Sequence, residues 1–174
     1  LDYKLIPDFI KRLQNMDGIA AVALEFLILN ANRTGEVIAA KREEINTSNL
    51  WIIPADRMKA KQEHRVPLGK RSIELLQIAK SFDFESQYLF SRKGRPLSNM
   101  ALSMLLRRMG HDETVHGFRS SFRDWVSEET LYSSEIAEKA LAHTIANKVE
   151  SAYRRGDLLE HRKRLMADWE GYCT

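Results

Sequence analysis

Apolar positions recur at three- and four-residue spacing over most of the chain and alternate in only a few short stretches, which predicts a helical protein with a small sheet. Pro7 and Asp8 suit the first turn of a short helix that buries Phe9, Ile10 and Leu13. Gly18 separates it from the apolar run 19–29, which is too short to span a bilayer and carries Glu25 in its middle, so it reads as a core helix. A third helix is expected over residues 34–44. Residues 50–53, closed by Pro54, and residues 65–68 read as two antiparallel strands, with Lys59 and Lys61 between or along them. Residues 72–79 should be helical and 88–90 a third short strand, and Ser98 is a natural N-cap for a helix through Met109.

Downstream, Phe118, Phe122 and Trp125 mark a helix beginning near His116, and Ser134 can cap another that reaches Leu141. One further helix should hold Val149, Ala152 and Tyr153. The last presents Leu158, Leu165, Met166, Trp169 and Tyr172 as a discontinuous apolar stripe, which must be buried against its own domain or a neighbouring protomer. The expected class is therefore mainly α with a small antiparallel β-sheet (α+β). With no internal repeat and no linker-like run, residues 1–174 read as one domain.

At 174 residues, 44% hydrophobic and 29% charged, the chain can bury a proper core without staples. Its one cysteine, Cys173, can form no internal disulfide, which fits a reducing, cytoplasmic setting; it reads as an incidental thiol. The chain opens with Leu1 and no basic-then-apolar signal, as expected of a piece of a longer protein. A formal charge of +3 is compatible with an anionic partner without deciding for one. Its distribution adds more, because Arg92, Lys93 and Arg95 cluster, as do Arg107 and Arg108, Arg154 and Arg155, and Arg162, Lys163 and Arg164.

Chemistry enters with His116-Gly117-Phe118-Arg119, whose imidazole and guanidinium share a helix face and can reach one phosphate. Arg33 opens Arg33-Thr34-Gly35-Glu36, where Glu36 can orient the guanidinium through a fork-shaped pair. Leu141-Ala142-His143 is followed ten residues later by Tyr153. Taken in order, Arg33, Lys59, His116, Arg119, His143 and Tyr153 resemble the catalytic series of tyrosine recombinases, the phage integrase family.

The likeness is strongest to integrases of temperate phages, satellite phages and genomic islands. It is carried by Trp51-Ile52-Ile53-Pro54-Ala55-Asp56-Arg57-Met58-Lys59, by His64-Arg65-Val66-Pro67-Leu68, by His116-Gly117-Phe118-Arg119-Ser120-Ser121-Phe122-Arg123-Asp124-Trp125, and by Leu141-Ala142-His143 through Ala152-Tyr153-Arg154-Arg155. It departs at Asn30-Ala31-Asn32, where a small Thr- or Gly-containing turn is commoner, and at Arg42, where an aromatic is common.

The resemblance implies a catalytic domain lacking the core-binding and arm-binding regions of the whole protein. It implies that Tyr153 attacks a phosphodiester to form a 3′-phosphotyrosine, that Arg33 and Arg119 stabilise the nonbridging oxygens, and that His116 is the base. His143 would donate a hydrogen bond to a nonbridging oxygen and Lys59 would protonate the leaving 5′-oxygen. In an extended strand Lys59 and Lys61 would point to one side; the family match, not geometry, selects Lys59.

Lys61, Arg65, Arg154 and Arg155 are further candidate DNA contacts. No cofactor or metal is implied, and the partners would be double-stranded attachment sites and other protomers, as a tetramer on DNA. Two rivals use the same residues or fewer: a type IB topoisomerase, and a DNA-binding relative without catalysis. Should Tyr153 not be the nucleophile, Tyr132 and Tyr172 are the next candidates, while His64, His111 and His161 read as structural.

Overall fold

Because β1 (Leu50–Ile53) and β2 (His64–Pro67) pair antiparallel with Leu50 opposite Pro67 and Ile53 opposite His64, the alternating residues Trp51, Ile53, His64 and Val66 turn inward and are buried. The second strand begins one residue earlier than the apolar pattern predicts. A computed structural model describes residues 1–143 and 156–174. The expected helix around Val149, Ala152 and Tyr153 lies outside them.

Eight helices are described: α1 (Ile6–Gln14), α2 (Ile19–Asn30), α3 (Thr34–Ile38), α4 (Lys70–Phe82), α5 (Ala101–Arg108), α6 (Gly117–Glu129), α7 (Ser134–Ala140) and α8 (Leu159–Cys173). With the two short sheets they give the expected mainly α architecture. None of them is long and apolar enough to cross a membrane. α2 is apolar on every side because it is the central element, packed by α1, α3, α4, α5 and α8. Its buried Glu25 is satisfied there by Gln14 Nε2 at 2.9 Å and by Arg71 Nε and Nη2 at 2.7 and 3.1 Å.

Two expectations fail for a shared reason. The helix predicted over 34–44 stops at Ile38, and the strand predicted over 88–90 forms only an isolated bridge, Lys41 to Tyr88. Leu89 N donates to Ala40 O at 2.8 Å and Arg42 N to Gln87 O at 2.9 Å, so these two segments take each other's backbone groups in place of helical or sheet partners. Regular pairing occurs just beyond, in β3 (Ser91–Arg92) with β4 (Arg95–Pro96), whose turn places both Lys93 and Gly94 at positive φ. Other boundaries shift less: α4 extends beyond 72–79, α5 is capped at Met100 rather than Ser98, and α7 at Ser133 rather than Ser134.

The C-terminal stripe packs on its own domain. Leu165, Met166, Trp169 and Cys173 of α8 are buried, Trp169 Nε1 donates to Ile28 O at 2.9 Å, and Trp169 stacks with Tyr172 beside Trp125. At its other edge the Glu170 carboxylate accepts from Arg71 N (2.9 Å), Ser72 N (3.1 Å) and Ser72 Oγ (3.0 Å), capping α4 from a distant helix.

Candidate active site

The turn between α2 and α3 sets the first guanidinium. Ala31 takes the left-handed conformation (φ 50) and Asn32 N reaches back to Leu27 O, ending α2 abruptly. Arg33 then caps α3, and Glu36 is buried beneath it. The expected two-pronged pair does not form. One carboxylate oxygen accepts from Arg33 Nη1 at 2.8 Å, while the other takes Arg33 N at 2.9 Å and Asn32 Nδ2 at 3.0 Å. Burial pushes the Glu36 carboxyl up, but the hydrogen bonds from the Arg33 backbone, Asn32 and the Arg33 side chain outweigh it and hold the group ionised, below its ordinary value. Glu36 thus fixes both the main chain and the side chain of Arg33.

Arg33, Lys59, Ala60, His116, Glu138, Ala142 and His143 line one open pocket of about 570 Å³. Arg119 lies behind it, buried, its Nη1 donating to Ala31 O at 2.5 Å and its Nη2 to Leu141 O at 2.6 Å. Burial, and then the nearby Arg33 charge, lower its guanidinium to about 10, which still leaves it cationic at neutral pH. His116, at the start of α6, is also shifted down, by partial burial first and then by Arg119, Arg33 and His143. A neutral imidazole can accept a proton. Four of the expected residues therefore meet at one cavity, with a fifth, Arg119, behind it against the His143 ring.

The sequence pattern of the phage integrase family matches residues 2–158. The chain belongs to the phage integrase family. It is 33% identical over 170 residues to prophage integrase IntZ of Escherichia coli (strain K12), covering 94% of this chain and 42% of that protein. It is 30% identical over 189 residues to the integrase of Enterobacteria phage P4, covering 95% and 43%. The chain thus spans less than half the length of these relatives. Its fold matches the lambda integrase catalytic core, with a TM-score of 0.64 at 18% identity over 85% of this chain and 93% of that one. It also matches a lambda integrase tetramer bound to a Holliday junction, with a TM-score of 0.60 at 17% identity over 89% and 46%.

In this integrase-family chain, of the two placements open for Lys59 and Lys61, between or along the strands, the first holds: both lie in the turn between β1 and β2. The turn removes the ambiguity of an extended backbone, because Lys59 lines the pocket while Lys61, at φ 53, sends Nζ to Asp56 O at 3.3 Å. Tyr153, Arg154 and Arg155 lie outside the described residues. Tyr132 and Tyr172 are committed elsewhere: Tyr132 donates to Asp168 at 2.6 Å, and burial and that bond push it up to about 12, while Tyr172 donates to Tyr3 O at 3.4 Å.

Arg65 meets Asp157 at 2.7 Å, and Asp157 also holds the buried Arg162 through its carboxylate at 2.8 Å and its carbonyl at 2.7 Å. Arg42, where the family resemblance departs, donates to the carbonyls of Asp83 and Phe84, so here a guanidinium holds the loop after α4.

Two residues at the site carry no local signature in the sequence. Asn32, one of the departures noted above, supports the Glu36 carboxylate from a buried position. Glu138 bridges Arg123 Nε at 2.8 Å and His143 Nδ1 at 2.7 Å, and His143 Nε2 in turn lies 3.1 Å from Arg119 Nη2. The only sequence signal for Glu138 is its place near the end of the helix that delivers His143.

Proposed function

We propose that this chain is the catalytic domain of a tyrosine-type site-specific DNA recombinase that integrates or excises a phage or genomic island. The observation that carries the reading is the convergence of Arg33, Lys59, His116 and His143 on one pocket, with Arg119 behind it. A phosphodiester is anionic and gathers charge on its nonbridging oxygens as the fifth ligand arrives, so fixed guanidiniums stabilise the transition state. The Tyr153 hydroxyl attacks phosphorus, and its proton passes to neutral His116. The bond to the 5′-oxygen breaks, Lys59 protonates that oxygen, and a 3′-phosphotyrosine remains. Attack by the 5′-hydroxyl of a partner strand reverses the step, so exchange needs no external energy source.

The partners are double-stranded attachment sites and further protomers, assembled as a tetramer on DNA in the cytoplasm of a bacterial or phage-infected cell. The lambda integrase tetramer on a Holliday junction has the same fold, which supports that assembly. An upstream core-binding domain would complete the grip on DNA, and Lys61, Arg65, Arg154 and Arg155 would add backbone contacts. The test incubates the full-length protein with a nicked duplex bearing its attachment sequence. A denaturation-resistant adduct is expected from the wild type and none from Tyr153→Phe; an adduct from the variant would move the nucleophile elsewhere.

A further inference from the structure

The Glu138 carboxylate faces Arg123 Nε of α6 at 2.8 Å and the His143 ring, just beyond α7, at 2.7 Å, with one oxygen each. Across the ring, His143 Nε2 lies 3.1 Å from Arg119 Nη2. A guanidinium only donates, so Nε2 accepts here and the ring proton sits on Nδ1, toward Glu138. This arrangement presents to the pocket an Nε2 edge that has no proton to give. While Nδ1–H stays on Glu138, a phosphate oxygen arriving at that edge can be hydrogen-bonded only if the ring gains a second proton.

We propose that Glu138 is a positioning residue for the strand-cleavage reaction: it fixes His143 with Nδ1–H inward and balances the charge the ring acquires when a phosphate oxygen replaces Arg119 at Nε2. The proposal rests on the recombinase reading above. One proton enters from solvent and comes to rest on Nε2, shared with the phosphate oxygen, while Nδ1–H stays on Glu138. Arg119 is thereby released from the ring to face the phosphate, so the two groups change partners together. The ring is set among Arg119 and Arg123 of α6 and Glu138 of α7, with Arg33, His116 and Lys59 also on the pocket wall. Glu138 is the one carboxylate among these groups. The rival role is packing alone, with Glu138 merely tying α7 to α6 through Arg123.

Glu138→Gln separates the two, since the amide keeps the size and can still accept from Arg123 but carries no charge. In the full-length protein on the nicked duplex, Glu138→Gln should slow adduct formation roughly 10- to 100-fold at neutral pH, the equivalent of one charge-assisted hydrogen bond. Its DNA affinity should stay within about threefold, and its deficit relative to the wild type at the same pH should narrow as pH falls, since protonation of His116 slows both proteins alike. In a His143→Ala background the same change should add nothing. An unaltered rate, or an equal slowing with and without His143, overturns the proposal.

A second measurement does not depend on the adduct. Long-range proton–nitrogen spectra of the histidine rings in the full-length protein should show His143 protonated at Nδ1 alone, with Nε2 gaining a proton on addition of orthovanadate in the wild type but not in Glu138→Gln. A ring protonated at Nε2 from the outset, or an unchanged response in the variant, also overturns it. A wild-type protein that forms no adduct counts against the recombinase reading, and the ring spectra then still decide the role of Glu138.

Discussion

Gly69→Ala should destabilise the fold, although the backbone at Gly69 (φ −79, ψ 178) is one that alanine adopts freely. A Cβ there would lie 2.3–2.5 Å from the Glu170 carboxylate. That carboxylate is the far end of a flexible side chain and can swing away, so the cost is not the overlap but the three hydrogen bonds it gives up at the start of α4. Ser72 is fully buried, so its amide would lose its only capping partner. Leaving a buried donor unpaired costs about 1–3 kcal/mol, and losing the charge-assisted bonds raises the total to roughly 2–4 kcal/mol.

Against this, alanine restricts the unfolded chain and returns about 0.4–1 kcal/mol. The assay is urea or thermal unfolding of four proteins: wild type, Gly69→Ala, Glu170→Ala and the double variant. At about 2–4 °C per kcal/mol for a domain of this size, the net loss of about 1–3.6 kcal/mol should lower the midpoint by roughly 2–14 °C. In the Glu170→Ala background the same change should be neutral or slightly stabilising, since nothing remains to displace. A loss of under about 0.5 kcal/mol in the wild type, or an equal loss in both backgrounds, would refute the assignment of Gly69 to this contact.

Three further outcomes are expected. His64 is pushed down to about 4 by burial first and then by the Arg162 charge, so the unfolded chain, with its histidine near 6.5, takes the proton first. The stability this neutral ring contributes is whole above pH 6.5 and drains as pH falls toward 4, amounting to about 2 kcal/mol between pH 7.5 and 5; His64→Gln should flatten the unfolding-midpoint profile in that window, and parallel profiles would refute it. Ala31→Gly should relieve the left-handed backbone at φ 50 and stabilise the domain by about 0.5–1 kcal/mol in the same unfolding assay, whereas a loss would show that the Ala31 methyl packing outweighs the strain. Lys59→Ala should be crippled on ordinary DNA and largely restored on a substrate with sulfur at the 5′-bridging position, because a thiolate with a pKa near 8.5 leaves without an acid; Arg33→Ala should stay impaired on both, and rescue by Lys61→Ala instead would exchange the lysine roles.

Helical content, the position of the β1–β2 hairpin and the central place of α2 were legible in the order of residues, because periodicity and a charge-poor apolar run are local properties that burial preserves. That Arg33, Lys59, His116 and His143 would gather at one place was legible for a different reason: the strings around them carry a family pattern that can be read without the fold. What the sequence could not determine is set by contacts between distant segments. The 34–44 helix was cut short by the backbone of residues 87–89, a pairing no local propensity encodes. Lys59 was separated from Lys61 by a turn, where an extended strand would have pointed both to one side. Glu138 and Glu170 look like ordinary surface carboxylates of amphipathic helices until folding brings one to an imidazole and the other to the open amides of α4. A carboxylate acquires a role from what lies within about 3 Å of it, and that neighbourhood exists only once the tertiary packing is complete.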